Sequence, residues 1–160
     1  MRTSKESLYL YLKTEAAGEV WLSKELDFSK AETKDLLTIA TCFARIGCVV
    51  LIPHPVHFRS ESYQTIFGRL MGTRYERKCP DLLIDDAFYE YESYSRPWNK
   101  RKLSNMLSHG LRQSDRVIID GRGGVPIRQI LRSIRLRQNI NSYITEIWVY
   151  DGTGVLQIYP

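Results

Sequence analysis

Cysteine is scarce in this chain, and its three copies are not spaced like metal ligands. Cys42, Cys48 and Cys79 are odd in number and show no C-x-x-C pair. Zinc centres and redox pairs are usually recognised by such short spacings. We therefore expect that the three cysteines are reduced thiols, either buried or without a specific role, and that they form neither a disulfide nor a zinc site.

Long apolar runs, internal repeats and low-complexity tracts are also missing. No segment approaches the roughly 20 apolar residues that a membrane-spanning helix needs. Residues 1–6 lack the apolar segment of a secretory signal peptide. These absences predict a soluble, cytoplasmic protein with no membrane partner.

What the chain does contain is ordinary for a globular protein. Its 160 residues are 43% hydrophobic and 26% charged. The length predicts a single domain over 1–160, with a variable N-terminal segment over 1–28 and a core over 29–160. The net charge of +5 agrees with a polyanionic partner but does not require one, because many basic proteins bind no nucleic acid.

Apolar spacing predicts alternating helices and strands. Residues 8–12 favour a strand, with a short helix as the alternative. Ser29 and Glu32 form a capping box before a helix that ends near Gly47. A buried strand follows over 48–52, and a short helix is an option over 63–71.

The second half of the chain continues the alternation. Pro97 is expected to open a helix over about 98–114, and Pro126 suits the first position of another. The remaining expected strands are a hairpin over 82–91, a buried strand over 117–119 and two closing strands over 147–150 and 155–159. This order predicts an α/β (α+β) fold with one central mixed sheet flanked by helices.

The stretch over 80–93 is the most informative part of the sequence. Asp85 and Asp86 mark a two-residue turn between an apolar run and an aromatic run. In that register Asp81 lies opposite Glu90, and Glu92 shares a face with Glu90 because side chains alternate along a strand. Like charges placed together destabilise a hairpin. A divalent cation bound between these carboxylates would explain why they lie together. Alternatively, the register of the hairpin is shifted, or this face of the sheet is open to water.

These residues carry a resemblance. Pro80-Asp81, followed by Glu90-x-acid on the second strand, resembles the PD-(D/E)xK nuclease superfamily. The continuation to residue 160 is similar to its branch of bacterial toxin tRNase domains, including the C-terminal tails of contact-dependent growth-inhibition toxins. The resemblance covers about 29–160. It implies a restriction-endonuclease-like fold and a nuclease that depends on Mg²⁺ or Mn²⁺.

The resemblance also assigns roles by position. The family's helix acid, strand aspartate and strand glutamate fall on Glu32, Asp81 and Glu90, with the last two as the metal ligands. Gln113, before Ser-Asp-Arg and a strand, is similar to the helix glutamine that faces the active site in the toxin branch. Glu92 departs from the pattern, since the family usually has lysine there. The carboxylate could act only as a general base or a metal ligand.

Basic and polar side chains further along predict contacts with nucleic acid. Asn105 and Arg112 lie on the polar face of the helix over 98–114, and Arg128, Arg132 and Arg135 form a stripe on the next helix. Such arginines neutralise backbone phosphates largely independently of sequence. A solvated helix face would give the same pattern.

Three further basic side chains lie in the helix expected over 98–114: Lys100, Lys102 and His109. Lys100 or Lys102 could supply the cation that position 92 lacks. His109 lies on the polar helix face, and we interpret it as a solvated histidine because nothing nearby completes a nucleophilic triad.

The sequence as a whole therefore predicts a metal-dependent phosphodiesterase acting on nucleic acid. RNA, especially tRNA, is favoured over DNA because of the toxin-like branch. Two alternatives stay open on the same fold. One is a nucleic-acid-binding protein without catalysis, and the other is a protein-interaction module whose tyrosine-rich surface contacts a partner or inhibitor.

Overall fold

The structure is a computed structural model that describes residues 7–94, 97–139 and 143–160. The described residues form a mixed α/β fold with eight strands and four α-helices, which confirms the predicted class. The chain divides into two compact units, here called unit 1 (residues 1–88) and unit 2 (residues 89–160). The expectation of a single domain with a distinct segment over 1–28 stays a prediction.

The strands of unit 1 are hydrogen-bonded in the order β1-β2-β3-β4. Its elements are β1 (Leu8–Lys13), β2 (Glu19–Ser23), α1 (Ala31–Arg45), β3 (Val49–Ile52), α2 (Glu61–Phe67), a short 3-10 turn (Gly68–Leu70) and β4 (Leu82–Ile84). β1 pairs antiparallel with β2, β2 parallel with β3, and β3 antiparallel with β4. The parallel pair is joined through α1, as a crossover connection requires.

The start of α1 corrects the sequence analysis. The helix begins at Ala31 after Lys30, whose side chain makes no capping bond. The Ser29 hydroxyl instead donates to Asp27 Oδ1 at 2.6 Å, so the predicted capping box with Glu32 does not form. The Asp27 carboxylate forms an Asx-type turn before the helix begins, in which it also accepts from the Ser29 backbone N–H in place of Glu32.

The predicted turn after β4 is confirmed. Asp85 and Asp86 have φ angles of 43° and 68°, as the two central residues of a two-residue hairpin turn require. Asp85 Oδ1 also accepts a hydrogen bond from the backbone N–H of Val49 at 2.8 Å. Burial and the neighbouring Asp85 carboxylate raise the pKa of the Cys48 thiol to about 11, so this thiol stays protonated near neutral pH.

Unit 2 repeats the crossover plan twice. Its elements are β5 (Ala87–Glu92), which enters the unit at Tyr89, α3 (Lys100–Gln113), β6 (Arg116–Asp120), α4 (Ile127–Gln138), β7 (Glu146–Tyr150) and β8 (Val155–Tyr159). β5, β6 and β7 are parallel, and β8 returns antiparallel to β7. The α3 helix begins at Lys100, two residues after the start expected near Trp98. Asn99 caps it, since its Oδ1 accepts a hydrogen bond from Lys102 N–H at 2.9 Å.

Both helices of unit 2 cover the same face of its sheet. Val117 pairs with Ile147 and Ile119 with Val149, so these four side chains point to one side. One apolar cluster joins them to the buried sides of the helices: Leu103, Met106, Leu107 and Leu111 of α3, and Ile130 and Ile134 of α4. The outer sides of α3 and α4 therefore face away from the sheet.

No helix among the described residues combines the length and apolarity needed to cross a membrane.

Candidate metal centre

The site begins with two carboxylates on β5. Glu90 pairs with Val117 and Glu92 with Ile119 on the parallel strand β6. Paired residues of adjacent strands share a face, so both glutamates point to the side that α3 covers. They are only 8% and 9% exposed. The prediction that Glu90 and Glu92 share a face is confirmed.

A glycine lets α3 approach these strands closely. A Cβ at Gly110 would lie 2.9 Å from Val117 Cγ1 and 3.0 Å from Glu92 Cγ, closer than real side chains tolerate. Glycine is unfavourable inside a helix by about 1 kcal/mol relative to alanine, so its place here has a packing reason. The missing side chain is what brings the adjacent His109 to the strand.

His109 meets Glu92 directly. Its Nδ1 forms a short hydrogen bond with Glu92 Oε1. The His109 side chain is 55% exposed, whereas that of Glu92 is 11% exposed. The imidazole therefore connects a buried carboxylate to solvent, and the bond at Nδ1 leaves Nε2 as the second ring nitrogen for a ligand or a proton.

Together, Glu90, Glu92 and His109 form a potential metal-binding cluster. One ligand atom from each lies within 4.8 Å of the other two. Carboxylate oxygens and an imidazole nitrogen are ligands for divalent ions such as Mn²⁺ and Zn²⁺, while Mg²⁺ prefers oxygen alone. A cation here would contact carboxylates that are only 8% and 9% exposed.

The polar face of α3 extends from this cluster in both directions. Asn105, His109 and Gln113 are spaced by four residues, so they form one row along the helix. Asn105 is exposed and Gln113 is half-buried at the last helical position. Arg112, also exposed, follows His109 by three residues and is its neighbour on the helix surface.

Two of the predicted site residues, Asp81 and Glu32, belong to unit 1. Asp81 is half-buried in a bend directly before β4, and Glu32 is exposed in the first turn of α1. Their expected participation in a metal site with Glu90 stays a prediction. Within unit 2, the structure brings Glu90 together with Glu92, the residue that departs from the family pattern.

Neither lysine considered as a replacement cation belongs to the cluster. Lys102 Nζ donates to the Pro97 carbonyl at 2.7 Å and lies over the Tyr94 ring. Lys100 is exposed in the first turn of α3. The basic group next to Glu92 is His109, which the sequence analysis had interpreted as solvated. Its adjacency to Gly110 was the available signal, since a glycine inside a helix often marks a close approach.

The opposite face of the unit 2 sheet holds a second polar network. Glu146 accepts hydrogen bonds from Tyr89 Oη at 2.6 Å and Trp148 Nε1 at 2.9 Å, and Arg116 Nε lies 3.6 Å away. Burial raises the pKa of Glu146, but these bonds and the Arg116 charge outweigh it and lower the pKa below its ordinary value. This network joins β5, the strand that carries Glu90 and Glu92, to β6 and β7.

Comparison with protein-family models, curated proteins and solved structures gave no match to this chain.

Proposed function

We propose that this protein is a metal-dependent phosphodiesterase that cleaves nucleic acid, with RNA favoured over DNA. The observation that carries the proposal is the convergence of Glu90, Glu92 and His109, whose ligand atoms lie within 4.8 Å of one another. The resemblance to PD-(D/E)xK nucleases and the net charge of +5 both support it.

The donor set favours Mn²⁺ over Mg²⁺. Glu90 and Glu92 would supply oxygen ligands and His109 a nitrogen, and imidazole suits transition ions better than Mg²⁺. A divalent ion in such a site polarises a phosphodiester and lowers the pKa of bound water.

The side chains around the ion would have distinct tasks. The Glu92 carboxylate holds the His109 ring through Nδ1. An ion shared by the two side chains would replace the proton between them, because metal ligands bind in their deprotonated form. Asn105 and Gln113, one helical turn on either side, would position phosphate oxygens. Arg112 would neutralise a phosphate next to the site.

Metal binding and cleavage test the proposal together. Mn²⁺ binding is measured by calorimetry and by electron paramagnetic resonance, and cleavage by gel assays on tRNA and on double-stranded DNA. Because Glu90→Gln preserves shape and removes a charge, we expect it to weaken Mn²⁺ binding and to lower cleavage at least about 100-fold.

Two further variants make the test specific. His109→Gln should lower Mn²⁺ affinity and leave folding unchanged, because the side chain is largely exposed. Glu15→Gln removes an exposed carboxylate in unit 1 and should match the wild type. The proposal is rejected if Mn²⁺ neither binds nor raises the melting temperature, and cleavage does not depend on Glu90.

The Glu92–His109 hydrogen bond also favours a second candidate, a nucleic-acid-binding protein without catalysis. The bond already satisfies one polar group on each side chain without an ion. In that case RNA binding would survive Glu90→Gln and chelation by EDTA, and no cleavage would accompany it.

A further inference from the structure

The two helices of unit 2 share an unusual composition. Neither α3 nor α4 contains an acidic residue or any Phe, Tyr or Trp. Together they carry eight cationic side chains: Lys100, Arg101, Lys102, Arg112, Arg128, Arg132, Arg135 and Arg137. An exposed helix in a globular protein usually mixes charges of both signs, since opposite charges three or four residues apart stabilise it.

The fold places these cations on one surface. The apolar sides of α3 and α4 are buried against the same sheet face. Arg137 Nη2 donates to the Ser104 carbonyl at 2.6 Å and thereby ties α4 to α3. The remaining exposed cations of the two helices form what we call the basic helical layer: Lys100, Arg101, Arg112, Arg128, Arg132 and Arg135.

No acid of the described chain compensates this layer. None of its six cations has a carboxylate oxygen within 4.0 Å in the ranges 7–94, 97–139 and 143–160. The contrast within unit 2 is direct, because Arg116 pairs with Asp115 at 3.1 Å and Arg122 with Asp120 at 2.8 Å. Arg116, Arg122 and Arg137 of unit 2 thus have protein partners, whereas the cations of the layer are left for an external anion.

We propose that the basic helical layer binds the phosphate backbone of a base-paired stem in the substrate RNA. The inference deepens the proposed function and rests on it for the identity of the nucleic acid. Proteins that hold single strands combine cations with aromatic side chains on which bases stack. The layer has cations alone, so it fits a helical backbone whose bases are already stacked inside the duplex.

The dimensions agree with this partner. Arg128 and Arg135 are seven residues apart, which at 1.5 Å per residue places them about 10 Å apart along α4. That length spans a few successive phosphates of one strand of a duplex. Packed helices lie about 8–10 Å apart, so α3 supplies a second row of cations beside the first. Arg112 belongs to that row and neighbours His109, which connects the layer to the metal cluster.

Binding to defined RNAs without catalysis tests this inference. Fluorescence anisotropy in EDTA compares a 16-base-pair RNA duplex with a 16-nucleotide single strand over a range of salt concentrations. Six phosphate contacts predict a slope of log K against log salt of about −5 for the duplex. We expect tighter binding to the duplex than to the single strand.

Charge variants identify the surface. Replacing Arg128, Arg132 and Arg135 by Gln should reduce the salt slope by about 2 to 3 and weaken duplex binding at least about tenfold in moderate salt. Replacing the same three by Lys should keep the slope near the wild-type value. The matched control removes three exposed cations from unit 1, Lys30, Lys34 and Arg45, and should change affinity less than twofold.

The outcomes separate this inference from the proposed function. Duplex binding that depends on Arg128, Arg132 and Arg135 supports the basic helical layer even if no cleavage is ever detected. Tighter binding of the single strand, or an equal loss in the unit 1 control, overturns it even if Mn²⁺-dependent cleavage is found. Circular dichroism melting must show that each triple variant is folded.

Discussion

The two units of this chain have nearly equal numbers of cations but very different numbers of acids. Unit 1 contains twelve Lys and Arg and twelve Asp and Glu, so it is formally neutral. Unit 2 contains eleven Lys and Arg but only six acids, so the whole net charge of +5 belongs to it. The modest net charge of the whole chain thus arises from one strongly basic unit. Attraction to a polyanion is therefore expected of unit 2 and not of unit 1.

The units also use glycine differently to bring a helix close to a strand. In unit 1, a Cβ on Gly18, just before β2, would lie 1.9 Å from the Ala44 carbonyl oxygen of α1. In unit 2, the glycine is Gly110 of α3, and its neighbours are the side chains of Val117 and Glu92. The first contact fixes backbone against backbone and serves stability. The second positions a side chain of the candidate site.

The largest expected effect comes from the backbone contact in unit 1. Because the Ala44 carbonyl cannot move away as a side chain can, Gly18→Ala should lower the free energy of unfolding by about 3 kcal/mol or more. Urea denaturation followed by circular dichroism measures it. Gly68→Ala is the control, since a Cβ there meets nothing within 4 Å. Equal stability of the two variants would contradict the comparison.

An intermediate effect is expected from the partly buried network of Glu146 and Arg116 in unit 2. Glu146→Gln removes the charge near Arg116 and should cost about 1–2 kcal/mol near neutral pH. Because the folded pKa of Glu146 lies below its ordinary value of 4.5, its ionised form stabilises the fold above that pH. The advantage of the wild type should therefore disappear as pH falls through the folded pKa.

Denaturation of both proteins between pH 3 and 7 measures this difference. The exposed Glu15→Gln variant should stay within about 0.5 kcal/mol of the wild type throughout. A stability difference between wild type and Glu146→Gln that grows as the pH is lowered would show that the Glu146 carboxylate is not stabilised by its bonds.

The smallest effect on stability is expected at Gly110. Alanine would gain about 1 kcal/mol in helix propensity, and overpacking against Val117 and Glu92 would cost about 1–3 kcal/mol. The net loss should be about 1 kcal/mol, but displacement of Glu92 should weaken Mn²⁺ binding several-fold. Calorimetry measures this, with Gly154→Ala as the control because its Cβ meets nothing within 4 Å. Unchanged Mn²⁺ affinity would show that Gly110 does not help to position Glu92 for metal binding.

Much of the fold could be predicted from the sequence because its signals are local. The strands around Val50, Ile118 and Trp148 and the helices α1, α3 and α4 follow from apolar periodicity. Errors occurred at helix starts, where Asp27 and Asn99 provide the local bonds in place of the expected Ser29 and Pro97. Several residue types satisfy the same backbone groups there, so boundaries are weakly specified.

The candidate site was only partly predictable. The shared face of Glu90 and Glu92 follows from strand alternation, and the structure agrees. His109 is exposed, as predicted, but its contact with Glu92 was missed. A helical wheel places His109 on the polar side of α3 and says nothing of which strand lies beneath. Its hydrogen bond to Glu92 joins residues 17 positions apart.

The sequence by itself determined the alternation of strands and helices, the pair of carboxylates on β5 and two helices without acids. These are properties of spacing and composition, and each is decided within a few residues. Only the tertiary structure decided that α3 and α4 cover the same sheet face, that their cations stay unpaired with the described acids, and that His109 meets Glu92. The physical reason is that helix packing depends on the shapes of facing surfaces, here the absence of a Cβ at Gly110, which no local pattern encodes.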